Sequence, residues 1–438
     1  MRGHHRARPA RARPRALTSS TLAPQFPALD SIRALGALCV LTTHATFNSG
    51  DYVGNGWLGT FLSRLDIGVA LFFVLSGFLL SRPWIARRVH ALPPPRIREY
   101  FWKRLVRIYP AYAVTVVIAM LFLSQNRDAS ARDWLVTLTL SDIYVEPRLP
   151  AGLTQMWSLS TEVAFYVLLP LLMPLLLGRR GNLRPAVAVG GLTVMVAISA
   201  WWSLDGAWSE AFLGSAMPLQ WLPGYLSWFA TGIGLAMLHV LADSPERSRS
   251  TELLHKGVAQ ISAYPGASAL AAVGLLLVVS TPLAGPALLA LPTPEAVLTK
   301  QLLYVAISFL VVVPAIFGDP ASRYGVLLAA SPLRHLGHIS YSVFCIHLSV
   351  LHLVMWWGDY PLFGGNGLQI WFFTLVFSLT AAELLYRAVE LPALRLRGLL
   401  ARPLPVATTT NPTATTTSVP GHVSEPAQPS EAPQGRQA

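Results

Sequence analysis

This chain is short of charge and nearly free of cysteine. Asp, Glu, Lys and Arg make up only 12% of its 438 residues, about half the share of an ordinary soluble domain, which argues against a water-covered globule. Its two cysteines, Cys39 and Cys345, each stand inside an apolar stretch. They read as small packing residues and imply neither a disulfide framework nor a thiolate metal site. A Walker-type phosphate loop, an internal repeat, an appended soluble domain and an H-x-x-x-H pair among the histidines of the last third are all missing. No metal is expected.

What is present in quantity is apolar length. The chain is 53% hydrophobic with a mean hydropathy of +0.48. Ten runs approach or reach the roughly 17 to 25 residues that cross a hydrocarbon core: 31–47, 67–84, 108–124, 157–177, 186–204, 219–240, 267–283, 302–317, 339–355 and 368–387. The expected class is therefore an all-α polytopic membrane protein, with about ten transmembrane helices in one bundle and both termini cytoplasmic. Residues 134–140 are too short to cross and are flanked by Asp133 and Asp142, so they read as an interfacial or re-entrant piece.

The net charge of +12 is placed where it orients the chain. Basic residues crowd the loop from Arg82 to Arg107, recur at Arg179, Arg180, Arg184, Arg247, Arg249, Lys256, Arg323 and Arg334, and return in the tail at Arg387, Arg395, Arg397 and Arg402. Those positions are cytoplasmic by the positive-inside rule. The lipid bilayer, and not nucleic acid, is the expected partner of this charge. Residues 1–27 carry Arg2, Arg6, Arg8, Arg11, Arg13 and Arg15 but no small-residue cleavage site follows; they read as a disordered basic tail before an uncleaved first span. The membrane domain is expected over 28–398, and 399–438, rich in Pro and Thr, reads as a second disordered tail.

Titratable groups inside an apolar bundle are costly, so each is a candidate for function. The first span, LDSIRALGALCVLTTHATF, carries Arg33 and His44. Their eleven-residue offset is nearly three helical turns, which puts both on one face roughly 16 Å apart along the axis. An imidazole can act as a general base near neutral pH; a histidine hydrogen-bonded for packing fits the position equally. Arg33 alone reads as a headgroup anchor. Arg104 and Arg107 share a helical face suited to clamping phosphates, or to anchoring at the cytoplasmic interface. Glu162, expected about one turn inside the outer edge of the membrane, needs a partner, and Ser158 and Tyr166, one turn to either side, are placed to line a polar pocket with it. Ser76 and Gly77 read as packing residues. His335, His338, His347, His352, Glu383 and Glu390 read as structural, with Glu383 and Arg387 paired at i, i+4.

Taken in order, LDSIRALGALCVLTTHA, GVALFFVLSGFLL, KRLVRIYPAY, MWSLSTEVAFY, HISYSVFCIH and YRAVELP resemble the acyltransferase-3 family of bacterial integral-membrane O-acyltransferases, in its stand-alone form. The resemblance implies a ten-helix bundle in the inner (plasma) membrane. It implies transfer of an acyl group, acetyl above all, from cytoplasmic acyl-CoA to a hydroxyl of a sugar, surface glycan, lipid-linked saccharide or glycosylated metabolite. Arg33 and His44 match the family's arginine and histidine pair, with His44 the implied catalytic base. Arg104 and Arg107 match its R-x-x-R pair, associated with the acyl-CoA donor, and Glu162 matches the acidic residue of its W-S-L-x-x-E segment. Two departures stand out. Ala70 replaces a frequent acidic residue, whose role is absent here or passes to another group such as Asp66, and ELP replaces E-R-P at the close. The rival class is a transporter or flippase of a glycan or secondary metabolite, with helices broken at Pro170, Pro174 and Pro223.

Overall fold

Backbone polar groups find no water in a hydrocarbon core, so each spanning segment must satisfy its own hydrogen bonds. This chain does so with helices throughout; no strand occurs among the described residues, which in the computed structural model are 26–178, 184–209, 216–242, 248–286 and 290–400. Most of both tails lies outside them, as do Arg179, Arg180, Arg247 and Arg402. The longer helices are α1 (Pro27–Ser49), α2 (Ile67–Val89), α3 (Ile97–Phe122), α4 (Ala131–Leu138), α5 (Trp157–Leu177), α6 (Pro185–Leu204), α7 (Leu226–Ala242), α8 (Arg249–Ala263), α9 (Pro265–Val279), α10 (Pro294–Phe317), α11 (Ser331–Trp357) and α12 (Gly367–Leu385).

With their flanking turns, α2, α3, α5, α6, α7, α10, α11 and α12 are long and apolar enough to cross a membrane, and α8 with α9 makes a ninth candidate if the bent pair is one span. The protein is an all-α, polytopic membrane protein. Eight expected spans fall on the eight apolar helices. The ninth, 267–283, falls on α9, which α8 meets at 89°. α8 is an amphipathic helix that the apolar-length criterion passed over because its run is polar on one side. The tenth is α1, which forms for 23 residues but is not apolar enough to qualify alone, since Asp30, Arg33 and His44 interrupt it. Protein surrounds it instead, for α1 packs against α2, α10, α11 and α12.

The piece expected around 134–140 is α4, eight residues capped by a reciprocal Ser130 and Asp133 box. Its carboxyl end runs inward. Tyr112, fully buried on α3, donates its hydroxyl to the Thr137 carbonyl, ten residues or roughly 15 Å below the end of α3. Trp221 Nε1 donates to Ile143 O at 2.7 Å just beyond. The segment thus meets the middle of α3 with Thr137 and Leu140 buried, while Leu135 and Thr139 stay exposed. The prolines behave otherwise than the transporter reading expects. Helix α5 continues through Pro170 and Pro174, and Pro223 lies in the turn Leu222–Tyr225 that leads into α7.

Two close crossings set the centre of the bundle, and glycine permits both. At α1 and α2, a Cβ on Gly68 would stand 2.3 Å from Gly36 O. At α2 and α7, a Cβ on Gly77 would stand 2.4 Å from Phe229 O, and one on Gly232 only 2.1 Å from Val74 O. Backbone contact of this kind is how small residues drive helix association in lipid. Phe73, Phe165 and Phe229 stack beside the second crossing, with centroids 4.7 and 3.9 Å apart. Replacing Gly77 with Leu should separate α2 from α7 and cost about 1–3 kcal/mol, as overpacking does. Thermal unfolding in detergent checks this: a clear drop in midpoint is expected, and an unchanged midpoint would contradict the crossing.

Candidate active site

Arg33 lies in the second turn of α1, where the helix faces α2. With it, Ser76 from α2, Arg107 from α3, Glu162 and Tyr166 from α5, and Tyr341 from α11 line a narrow cavity. Glu162 is the hub. Its Oε1 accepts a hydrogen bond from Ser76 Oγ and another, 2.7 Å long, from Tyr166 Oη one helical turn on. Arg33 is in electrostatic range of Glu162, Arg107 and Asp30, and Arg104 is in range of Glu162, Arg107 and Tyr166. Three guanidinium groups thus gather round one central carboxylate. The Nε atoms of Arg33 and Arg104 are buried without a hydrogen-bond partner, which is expensive unless a ligand supplies one.

Arg104 and Arg107 divide between two hollows. Arg107 faces the polar cavity. Arg104 lies over the Tyr100 ring, its Cζ 5.8 Å from the centroid, and borders an adjoining groove lined by apolar residues such as Phe101, Leu105 and Val167. Ile108 and Tyr166 line both hollows. The closing motif also contributes here. Residues Tyr386–Glu390 form a single π turn, a local irregularity that often marks functional sites. It buries Glu390, which accepts from Ser342 Oγ at 2.8 Å within electrostatic range of Arg107 and Arg33.

His44 stands at the other end of α1, half-buried, beside a group that sequence reasoning assigned to structure. The His347 ring of α11 lies 5.4 Å from it, centroid to centroid, tilted by 40°. Between this pair and the Arg33 cavity stand Phe72 and Phe344, with centroids 6.3 Å apart. Both rings line the cavity, and Phe344 is 6.3 Å from His347. The site is therefore two polar centres on one helix, parted by an aromatic pair.

The other candidates resolve into tethers. Asp66 accepts hydrogen bonds from Lys300 and Tyr304 of α10, so it is engaged one turn before the buried Ala70. Glu383 pairs with Arg387 and His335, and His338 pairs with Asp30 at 3.5 Å. Among the described residues no three His, Cys, Asp or Glu side chains are grouped as metal ligands. Ser76, His347 and Glu390 are residues whose place sequence reasoning missed. No local pattern marks any of them, because each gains its role from a helix distant in the chain. Ser76→Ala removes a donor to a carboxylate and should cost about 1.5–3 kcal/mol in thermal unfolding. Ser158→Ala, whose hydroxyl donates to the Gln155 carbonyl at 3.1 Å, should cost about 1 kcal/mol or less. Equal costs would contradict the part given to Ser76.

Comparison with known proteins follows the same outline. The model of the acyltransferase-3 family, described as an acyltransferase domain, matches residues 26–387. Acyltransferase MdmB of Streptomyces mycarofaciens is 32% identical over 160 residues, 34% of this chain and 39% of that protein. Nodulation protein 10 of Rhizobium leguminosarum bv. viciae is 30% identical over 193 residues, 38% of this chain and 50% of its own. O-acetyltransferase OatA of Staphylococcus aureus is 23% identical over 385 residues, 84% of this chain and 57% of its own. The matches thus span between about two-fifths and three-fifths of these relatives' lengths. No solved structure matches. With the family's domain matched from the first helix to the end of the last, this chain belongs to the acyltransferase-3 family of acyltransferases.

Proposed function

We propose that the protein is an inner-membrane O-acyltransferase that moves an acyl group, acetyl above all, from cytoplasmic acyl-CoA to a hydroxyl of a sugar, surface glycan, lipid-linked saccharide or glycosylated metabolite. The observation that carries this reading is the cluster of Arg33, Arg104 and Arg107 round Glu162, with two buried guanidinium nitrogens unpartnered. Such an excess of buried cations suits phosphates, which arginine binds through paired N–H donors. The end of α1 that holds Arg33 is also the end where Arg87, Arg88, Arg96 and Arg98 join α2 to α3, the cytoplasmic side by charge.

In this mechanism the CoA phosphates sit on Arg104 and Arg107, and the extended pantetheine arm passes Arg33 along α1. The Phe72 and Phe344 rings must turn aside for the thioester to come near His44. His44 takes the proton of the acceptor hydroxyl, the oxygen attacks the thioester carbonyl, and an ester forms as the carbon–sulfur bond breaks. The proton then returns from His44 to the departing thiol. Glu162 holds Arg33 and Arg107 in place at the donor end.

The transporter reading has one feature in its favour, the 89° break between α8 and α9. The polar groups of the site stand elsewhere, on α1, α2, α3, α5 and α11, and α5 is unbroken at its prolines. Variant kinetics in proteoliposomes given labelled acetyl-CoA and an extract of envelope glycans and secreted metabolites test the proposal. His44→Ala should lower kcat by about 10²- to 10⁴-fold, the usual weight of a general base. Arg104→Ala and Arg107→Ala should each raise KM for the donor by about tenfold, the loss of one charge-assisted contact. Transfer by His44→Ala at the wild-type rate would remove the proposed base.

A further inference from the structure

His347 is an unusual histidine in its own right. It is 1% exposed, and its Nδ1 lies 3.1 Å from Val343 O and 2.9 Å from Phe344 O, both carbonyls of its own helix. A carbonyl oxygen only accepts, so Nδ1 carries the proton. A neutral imidazole with its proton on Nδ1 has a lone pair on Nε2. That Nε2 is buried and has no hydrogen-bond partner. A buried acceptor left unpaired is costly, and the rings packed on His347 are Phe344 and His44. Of the two, only His44 bears an N–H.

We infer that His347 is a positioning residue: a turn of the His44 ring, 5.4 Å away, brings its N–H onto the unpaired Nε2, which settles which nitrogen of His44 keeps a lone pair for the acceptor hydroxyl. The carbonyls of Val343 and Phe344 orient His347, His347 orients His44, and His44 faces the substrate. A histidine that works as a base needs such a partner to hold its tautomer and its ring plane. As His44 takes a proton, the bond to His347 Nε2 remains and stabilises the imidazolium. Because Nε2 is buried, His347 itself does not meet the acceptor; it acts through the half-exposed His44. Among the described residues the titratable groups in range of His44 are His347 and His352, both on α11; the other described elements packed on α1 contribute none, so no described carboxylate competes for the role.

The inference rests on His44 being the base, and the test separates the two. The full chain in lipid nanodiscs, as wild type, His347→Leu and His347→Gln, is assayed for acetyl transfer across a pH series. In parallel, the imidazoles of the ¹⁵N-histidine-labelled wild type are assigned by their nitrogen shifts. Leu should lower kcat by about 10- to 100-fold, as loss of an orienting partner does, with KM within twofold and the pH–rate limb displaced. Gln, whose amide oxygen accepts, should recover most of kcat and the wild-type limb. The spectrum should show His347 protonated on Nδ1 and its Nε2 hydrogen-bonded as an acceptor. Wild-type kinetics in His347→Leu, equal losses in Leu and Gln, or a proton on His347 Nε2 would each overturn the inference. If the wild type shows no transfer while the spectrum shows the paired rings, the positioning contact stands and the acyltransferase reading fails. Should His347→Leu not fold, the wild-type spectrum decides alone.

Discussion

A buried guanidinium has to be answered by a negative charge or a ligand, and in this bundle much of the architecture serves that requirement. Glu162 answers it in part. Ser76 from α2 and Tyr166 from its own helix hold its carboxylate where Arg33 of α1 and Arg104 of α3 are in reach. Four helices are thereby tied at one point. Removing the acid would leave buried charge unanswered, a far larger penalty than the pair's own net contribution. Glycine crossings between α1 and α2 and between α2 and α7 hold α2 close to both neighbours.

The same requirement explains why α1, the helix that holds Arg33 and His44, is not apolar enough to cross a membrane alone. Its aspartate, arginine and histidine are tolerated because α2, α10, α11 and α12 surround it. Along this one helix the polarity is sorted: guanidinium groups at the end near Asp30, imidazoles at the end near Asn48, and the Phe72 and Phe344 rings between. That division suits the proposed reaction, with its charged donor and neutral hydroxyl acceptor.

The helical plan was legible from apolar run length alone, and α5 spans the very residues 157–177 that the run marked. Run length did less well where polarity interrupts it: α8 went unseen, and α3 begins at Ile97, eleven residues before its apolar run, so that Arg98, Lys103, Arg104 and Arg107 are all helical. The shared face of Arg33 and His44 followed from helix periodicity. What periodicity cannot supply is a contact between distant helices. Ser76 looked like a packing serine because its partner Glu162 lies on α5, and His347 looked structural because its neighbour His44 lies on α1. Glu162, read as a helper in a pocket with Ser158 and Tyr166, has that pocket, but at the Arg33 end of α1.

The central claim is that a group crosses this bundle by covalent transfer, from a donor at the arginine end to an acceptor at the histidine end. Oriented proteoliposomes test it most directly, with [¹⁴C]acetyl-CoA supplied only on the side of the Arg87 and Arg88 loop and the acceptor glycan only on the other. The account predicts label covalently bound to acceptor hydroxyls on the far side, with free CoA left on the near side. Unlabelled acceptor carried across the membrane without any acyl ester would contradict it.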